Sequence, residues 1–332
     1  MVDHERLSDH LATAVDAVQR AAVLCRSVQQ QLVTADTVTK KDRSPVTVAD
    51  FGVQALVTAR LAGAAPDIPM VGEEDAAALR SDENAQVRAK VIEQVRRLDD
   101  SLTESRILDA IDRGSHAGGS TGRFWTLDPI DGTKGFLRGD QYAIALALVE
   151  DGQVVLGVLG CPNLVVNPES GDGPVGCLFF AGIGQAAALR PLGGGADTPI
   201  HVTGIANPSA ATFCESVEKA HTQQTDSANV AQVLGVTRPP YRIDSQCKYA
   251  AIARGDSSIY LRLPTRADYQ EKIWDHAAGS IVVQQAGGRV TDIRGRPLDF
   301  SRGRTLSRNS GVVATNGKLH DQVIDAIGQV VS

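Results

Sequence analysis

The sequence predicts a two-part mixed protein, an α+β first part followed by an α/β second part. Three observations carry this. Apolar residues recur at helical spacing from Leu7 to Leu61. Two apolar runs, Ala143–Val149 and Val154–Leu159, flank an Asp-Gly turn. Beyond residue 198 short apolar runs alternate with helical stretches, the pattern of strands interleaved with helices.

Taken in order, Leu7, Leu11, Val15, Val18, Ala22 and Val28 mark one face of a long amphipathic helix that ends before Asp42–Pro45. A second helix starts near Thr47 and runs through Phe51, Leu56, Val57 and Leu61 to a stop at Gly63. Residues 82–101 are polar and helix-prone with little apolar face, so they form a surface helix or part of a loop. Thr126-Leu127 leads a strand into a turn at 128–132. Asp151-Gly152 closes a β-hairpin between the two apolar runs, because both residues tolerate the positive φ such a turn needs. Cys177–Ala181 and Ala186–Arg190 form another hairpin. The stretch 191–199 holds Gly193-Gly194-Gly195 without periodicity and marks a boundary between domains 1–192 and 198–332. After it, strands are expected at Thr212–Cys214, Ile259–Leu263 and Val312–Ala314. Helices are expected at Ser227–Leu234, Gln246–Arg254, Trp274–Gln285 and Leu319–Val330.

Composition excludes several classes. The 42% hydrophobic and 22% charged content of the 332 residues suits a folded soluble chain. The longest apolar run, Tyr142–Val149, is too short to cross a bilayer. The opening MVDHERLSDH has charges of both signs and no apolar core, so it does not read as a secretory signal. Five cysteines with no C-x-x-C pair read as buried thiols in a reducing compartment. A net charge of −6 argues against coating nucleic acid. The charge is unevenly spread: 18 basic and 27 acidic side chains in 1–197, against 15 and 12 in 198–332. One part suits cations and the other mildly suits anions.

The segment Leu127-Asp128-Pro129-Ile130-Asp131-Gly132-Thr133 concentrates chemistry. A strand ends where two carboxylates, three residues apart, meet a tight turn. Such a turn can aim both carboxylates and one carbonyl at a single point, half of a magnesium site, with the following N–H groups free to meet a phosphate oxygen. It can equally be an Asp-rich turn held by side-chain to backbone hydrogen bonds. Val71-Gly72-Glu73-Glu74-Asp75 adds three acids after a glycine, as a second source of ligands or as a solvated loop. Trp274-Asp275-His276-Ala277-Ala278-Gly279 puts an acid at the start of a small-residue helix, as a cap or as a metal-bridged phosphate contact. Asp50 falls early in the second helix, where the helix dipole favours an acid.

Together these segments resemble the lithium-sensitive, magnesium-dependent phosphatase superfamily that includes inositol monophosphatase. Asp128-Pro129-Ile130-Asp131-Gly132-Thr133 and Trp274-Asp275-His276-Ala277-Ala278-Gly279 are its two signatures, and Gly72-Glu73-Glu74 stands where the superfamily has its supporting acids. Within it, the chain is most similar to the 3′(2′),5′-bisphosphate nucleotidases. Lys134-Gly135-Phe136-Leu137-Arg138-Gly139, Ser44-Pro45-Val46-Thr47, Ser245-Gln246-Cys247-Lys248-Tyr249 and the run from Tyr260-Leu261-Arg262-Leu263-Pro264 to Asp275 carry that similarity.

The resemblance implies a layered αβαβα sandwich of two α/β subdomains. It implies hydrolysis of the 3′-phosphate of adenosine 3′,5′-bisphosphate, with 3′-phosphoadenylyl sulfate and the 2′,5′-bisphosphate as further substrates. Two or three Mg²⁺ ions per site are implied, held by Glu73, Asp128, Asp131, Asp275 and the Ile130 carbonyl, with inhibition by Li⁺ and Na⁺. Asp50 and Thr133 orient and deprotonate the attacking water. His221, Ser245, Lys248, Arg262, Thr133 and Asp275 hold the nucleotide; the family reads Gly-His-Ser where this chain has Ala220-His221-Thr222. The segment between Gly72 and Phe124, with Gly118-Gly119-Ser120-Thr121-Gly122, is expected to form a flexible cover. The chain is expected to be a cytoplasmic monomer acting on a small molecule, without nucleic-acid or membrane partners.

Alternative readings are an inositol polyphosphate 1-phosphatase and a non-catalytic nucleotide sensor. A haloacid-dehalogenase-type phosphatase needs its two acids two residues apart. Here Pro129 and Ile130 separate them, which excludes it.

Overall fold

A computed structural model describes residues 4–34, 44–169, 173–217, 224–264, 266 and 268–331. The chain opens with two helices, α1 (His4–Thr34) and α2 (Ser44–Ala64), then a short strand β1 (Met70–Gly72). Two helices follow, α3 (Ala85–Leu98) and α4 (Glu104–Asp112). Next come β2 (Arg123–Asp131), the six-residue helix α5 (Thr133–Arg138), β3 (Ala143–Glu150) and β4 (Gln153–Val165). The strands β5 (Val175–Gly182), β6 (Ala188–Pro191) and β7 (Thr198–Pro199) complete a seven-stranded sheet in sequence order. Only β1–β2 is parallel. The last strand lies past the glycine-rich stretch 193–195, so the first sheet ends beyond it.

The second part contributes β8 (Phe213–Glu215), α6 (Gln224–Val233), β9 (Tyr241–Arg242), α7 (Cys247–Arg254) and β10 (Ile259–Arg262). It ends with α8 (Ala277–Gln285), β11 (Arg289–Thr291), β12 (Val312–Thr315) and α9 (His320–Val330). Its five-stranded sheet has the order β11-β12-β10-β8-β9.

Strand β3 shows how the layers form. Ile144, Leu146 and Leu148 join one core cluster with α1 and α2, whereas Ala143, Ala145, Ala147 and Val149 join another with α7 and α8. The two-residue period of a strand separates the sets, and both faces are buried, which makes the run continuously apolar. Each large side chain fully buried there contributes roughly 1.5–3 kcal/mol. The small residues let α8 lie close: a Cβ on Gly157 would come within 2.8 Å of the Ala278 carbonyl oxygen. A third cluster joins the outer face of the second sheet to α6 and α9. The order is therefore helices, sheet, α7 and α8, sheet, helices, the αβαβα sandwich expected. The β3–β4 turn has Asp151 at φ 50° and Gly152 at φ 76°, both in the left-handed region, as the Asp-Gly pair predicts.

Three local expectations need correction. The segment between Gly72 and Phe124 is not a loose cover throughout, because Val91, Val95, Ile107, Leu108 and Ile111 of α3 and α4 are buried in the main core. Helix α2 begins at Ser44, which moves Asp50 from the first helical turn into the second. The helix expected from Trp274 is broken: Ile273–Asp275 is a 3₁₀ turn, and α8 starts after His276, whose φ of −136° is not helical.

Candidate active site

The loop after β1 is laid beside the end of β2. Met70–Gly72 pairs with Trp125–Leu127, and the Glu73 amide donates to the Leu127 carbonyl at 3.2 Å, which brings Glu73 next to Asp128. Gln54 of α2 fixes the next residue. Its side chain donates to the Glu74 and Ile111 carbonyls at 2.6 and 2.8 Å and accepts from the Glu74 amide at 3.1 Å.

Strand β2 does not stop at Asp128 but carries a bulge. Asp128 pairs with Ala145 and Asp131 with Ala143, so three steps along β2 match two along β3. Residues three apart on a regular strand point to opposite faces. The one extra residue brings both aspartates to one side, where they and Ile130 line a cavity of about 350 Å³. Gly132 follows at φ 90°, and a Cβ there would lie 2.8 Å from that of Ser245. Glycine meets both demands.

The opposite wall comes from the second part. Ser245 takes φ 65°, its hydroxyl donating to the Asp244 carbonyl at 2.5 Å and accepting from the Cys247 amide at 3.2 Å. Arg138, at the end of α5, donates to Asp244 at 2.6 Å and so joins the two parts beside Ser245. The side chain of Gln246 donates to the Trp274 carbonyl at 2.9 Å and accepts from the Gly279 amide at 3.1 Å. That double contact fastens α7 to the segment carrying Asp275.

Arg262 is held by a buried chain of side chains. Its Nε donates to Glu271 at 2.9 Å. Glu271 meets His276 Nε2 at 3.1 Å, and His276 Nδ1 meets the Tyr249 hydroxyl at 2.7 Å. The outer guanidinium nitrogen lies 3.6 Å from Asp275 and donates to Tyr269 at 3.4 Å. Burial alone would raise Glu271, but the bonds from His276 and Arg262 bring it down to about 2. Glu271, Asp275 and His276 offer possible metal-ligand atoms within 4.8 Å of one another. Glu271 and His276 are engaged by Arg262 and Tyr249, which leaves Asp275 facing the cavity.

The acids are short of positive charge. Burial, then the charges of Asp275 and Glu74, push Glu73 up to about 7. Burial, then Glu73 and Asp131, hold Asp128 well above the carboxylate range. Burial raises Asp275 to about 6 in spite of Arg262 and His276. Asp50 is raised by burial and by Glu74 and Glu73. Asp128 Oδ1 is buried without a hydrogen-bond partner among the described residues. An orphaned carboxylate oxygen among mutually repelling acids, with no sulfur donor among the described residues of the wall, fits a hard divalent cation such as Mg²⁺. Across the cavity, burial lowers the pKa of Lys248, whose ammonium lies 5.3 Å from the Tyr260 ring centroid.

Of the residues expected in the site, Glu73, Asp128, Ile130, Asp131, Thr133, Ser245, Lys248, Arg262 and Asp275 share this cavity. Asp50 does not line it but stands close enough to feel Glu73. His221 lies outside the described residues. Asp275 caps no helix, since Lys272 and His276 occupy the cap positions of the turn and of α8. Sequence reasoning missed Gln246, though it sits inside a quoted motif. It also missed the Tyr249–His276–Glu271 chain, in which Tyr249 lies 27 residues before His276.

A bulged double aspartate at the end of β2 thus shares one cavity with Lys248 of α7 and Arg262 of β10. The chain matches the inositol monophosphatase family over residues 6–332 and belongs to it. The family is one of metal-dependent phosphatases. The chain is 48% identical to a 3'(2'),5'-bisphosphate nucleotidase of Oryza sativa, covering 97% of this chain and 94% of that one. It is 46% identical to a protein of the same name from Emericella nidulans, covering 95% and 96%. Among solved structures, the Thermotoga maritima IMPase shares the fold at TM-score 0.65 and 20% identity, covering 97% and 98%. Mycobacterium tuberculosis SuhB does so at 0.62 and 20%, covering 98% and 97%. Among the described residues, no helix is long and apolar enough to cross a membrane.

Proposed function

We propose that the chain hydrolyses the 3′-phosphate of adenosine 3′,5′-bisphosphate to AMP and inorganic phosphate. One observation carries this reading: a single cavity pairs a carboxylate cluster with Lys248 and Arg262, in a chain whose relatives are bisphosphate nucleotidases. The acids suit metal-held chemistry on one phosphate, and the cations suit a second phosphate.

Glu73, Asp128, Asp131, Asp275 and the Ile130 carbonyl would hold Mg²⁺, two or three ions in all. When bound, Mg²⁺ lowers the pKa of a water and offsets charge on the phosphoryl group. Asp50 and Thr133 would orient that water, and the Asp50 carboxylate would take its proton, directly or through the Thr133 hydroxyl. The water oxygen bonds to phosphorus as the bond to the 3′ oxygen breaks, and the 3′ oxygen takes up a proton from solvent water as it leaves. Ser245, Lys248 and Arg262 grip the nucleotide and its remaining phosphate, and His221 and Asp275 complete the set. The same acids would admit Li⁺ or Na⁺ in place of one Mg²⁺, which makes these ions inhibitors.

Glu73, Asp128 and Asp131 come from the part built on the first sheet and Lys248 and Arg262 from the part that follows it, which supports a site in a cleft between the two. Initial rates with adenosine 3′,5′-bisphosphate, inositol 1-phosphate and inositol 1,4-bisphosphate, at one Mg²⁺ concentration, test the reading. Fastest turnover of the nucleotide is expected. A nucleotide rate no greater than that of inositol 1-phosphate overturns it.

A further inference from the structure

Arg304 has no part in the reading above, yet it touches both sides of the cleft. Its guanidinium lies 4.9 Å from the centroid of the Trp274 ring, the residue before Asp275. From there Nη2 donates to the Gly72 carbonyl at 2.5 Å, and Nη1 donates to the Gly114 and His116 carbonyls, each at 3.1 Å. Gly72 is the residue before Glu73. The main chain around Arg304 is fastened as well. Its carbonyl accepts from the Ile273 amide at 3.2 Å, and the Leu306 amide donates to the Glu271 carbonyl at 2.8 Å. Lys272 and Thr305 form an isolated antiparallel bridge between these bonds.

One residue therefore straps the Trp274-Asp275 segment to the Gly72-Glu73 loop. The strap is needed on physical grounds. Glu73 and Asp275 line the same cavity, so two like charges push apart the loops that must meet around a cation. Arginine suits the task because a planar fork can lie flat on an indole while its nitrogens donate in different directions. A lysine ammonium is a point donor and cannot reach three carbonyls from a stacked position. We infer that Arg304 is a positioning residue that sets the separation of Glu73 and Asp275 and, with it, the grip of the site on its divalent cation. This rests on those carboxylates holding the cation as proposed above.

The test titrates Mn²⁺ into the full-length, substrate-free protein and reads bound ions by electron paramagnetic resonance, with thermal melts alongside. Arg304→Met is expected to weaken Mn²⁺ binding at least tenfold, and Arg304→Lys to fall between it and the unaltered chain. In kinetics, Arg304→Met lowers kcat at low Mg²⁺, raising Mg²⁺ restores it, and KM for the nucleotide changes less than threefold. Arg296→Met serves as the stability control, since its pair with Asp292 lies outside the cavity wall. It should lower Tm without altering Mn²⁺ binding. Mn²⁺ affinity within twofold of the unaltered chain in the Arg304 variants, or a loss matched by Arg296→Met, overturns the inference. Should Arg304→Met fail to fold, Arg304→Lys decides by the same limit. An unaltered chain that binds Mn²⁺ but leaves the nucleotide intact overturns the proposed substrate and not the strap. An unaltered chain that binds no Mn²⁺ overturns both.

Discussion

The main-chain amide of Gln246 donates a 2.5 Å hydrogen bond to Asp131 Oδ2. The bond joins the bulged strand to the start of the helix that carries Lys248, across the boundary between the two parts. An asparagine at 131 can still accept that bond through its side-chain oxygen but loses its negative charge. Asp131→Asn should therefore keep its Tm within a few degrees while phosphate release falls by roughly a thousandfold or more. Full activity in this variant would remove Asp131 from the metal-holding set.

The repelling acids give the metal-free protein a pH signature. Glu73 has an ordinary value of 4.5 and sits at about 7 in the fold. Its favourable contribution is complete below 4.5 and is lost as pH rises through 7. Asp275 acts with the same sign between 3.8 and about 6. In chelator, Tm should fall as pH is raised from 5 to 8, and Glu73→Gln should melt higher at pH 8. The gain should be on the order of 2 °C, the shift that about 1 kcal/mol gives in a chain of this size. Mg²⁺ should abolish the trend. Thermal melts across that range decide, and a flat profile in chelator contradicts the charge crowding.

Arg262 and Glu271 are a buried pair, and breaking one side should cost more than removing both. Arg262→Met leaves Glu271, only 5% exposed at its side chain, without its guanidinium partner. A loss of about 3–5 kcal/mol is expected. The double variant Arg262→Met, Glu271→Met should recover part of it, because no uncompensated charge stays buried. Denaturant unfolding of the three proteins measures the difference. A double variant less stable than Arg262→Met alone would show that Glu271 has sufficient support from His276.

Gly279 packs against Tyr249, where a Cβ would lie 2.3 Å from two ring carbons. Gly279→Ala must push the ring away from α8 and disturb the Tyr249–His276 bond. Overpacking of this kind costs about 1–3 kcal/mol. A lowered denaturation midpoint with an unchanged slope is expected. An unchanged midpoint would mean that the helix can shift freely on α7.

Much of this was readable in the chain itself. Period and turn chemistry located the two opening helices, the Asp151-Gly152 hairpin and the alternation after residue 198, because each is a local pattern. The cavity residues were legible as motifs, since Asp128, Asp131 and Asp275 sit in short signatures. Illegible features are those that depend on distant partners. Strand β1 has three residues and exists only because β2 lies beside it. Helix α3 buries Val91 and Val95 though its segment reads as polar. Gln246 and Arg304 act through carbonyls and amides, and main-chain partners leave no residue type behind to be noticed.

The bulge at Pro129–Ile130 makes the site depend on parity as well as on composition. Asp128 and Asp131 are an odd number of steps apart, and one surplus residue converts that odd count into an even one. A regular strand with the same three-residue spacing would keep every acidic side chain in the sequence, yet it would turn one aspartate out of the cavity and into the sheet's other face. A strand without the surplus residue would need its acids spaced by two to make the same cavity. The three-residue spacing is thus the written trace of a backbone irregularity.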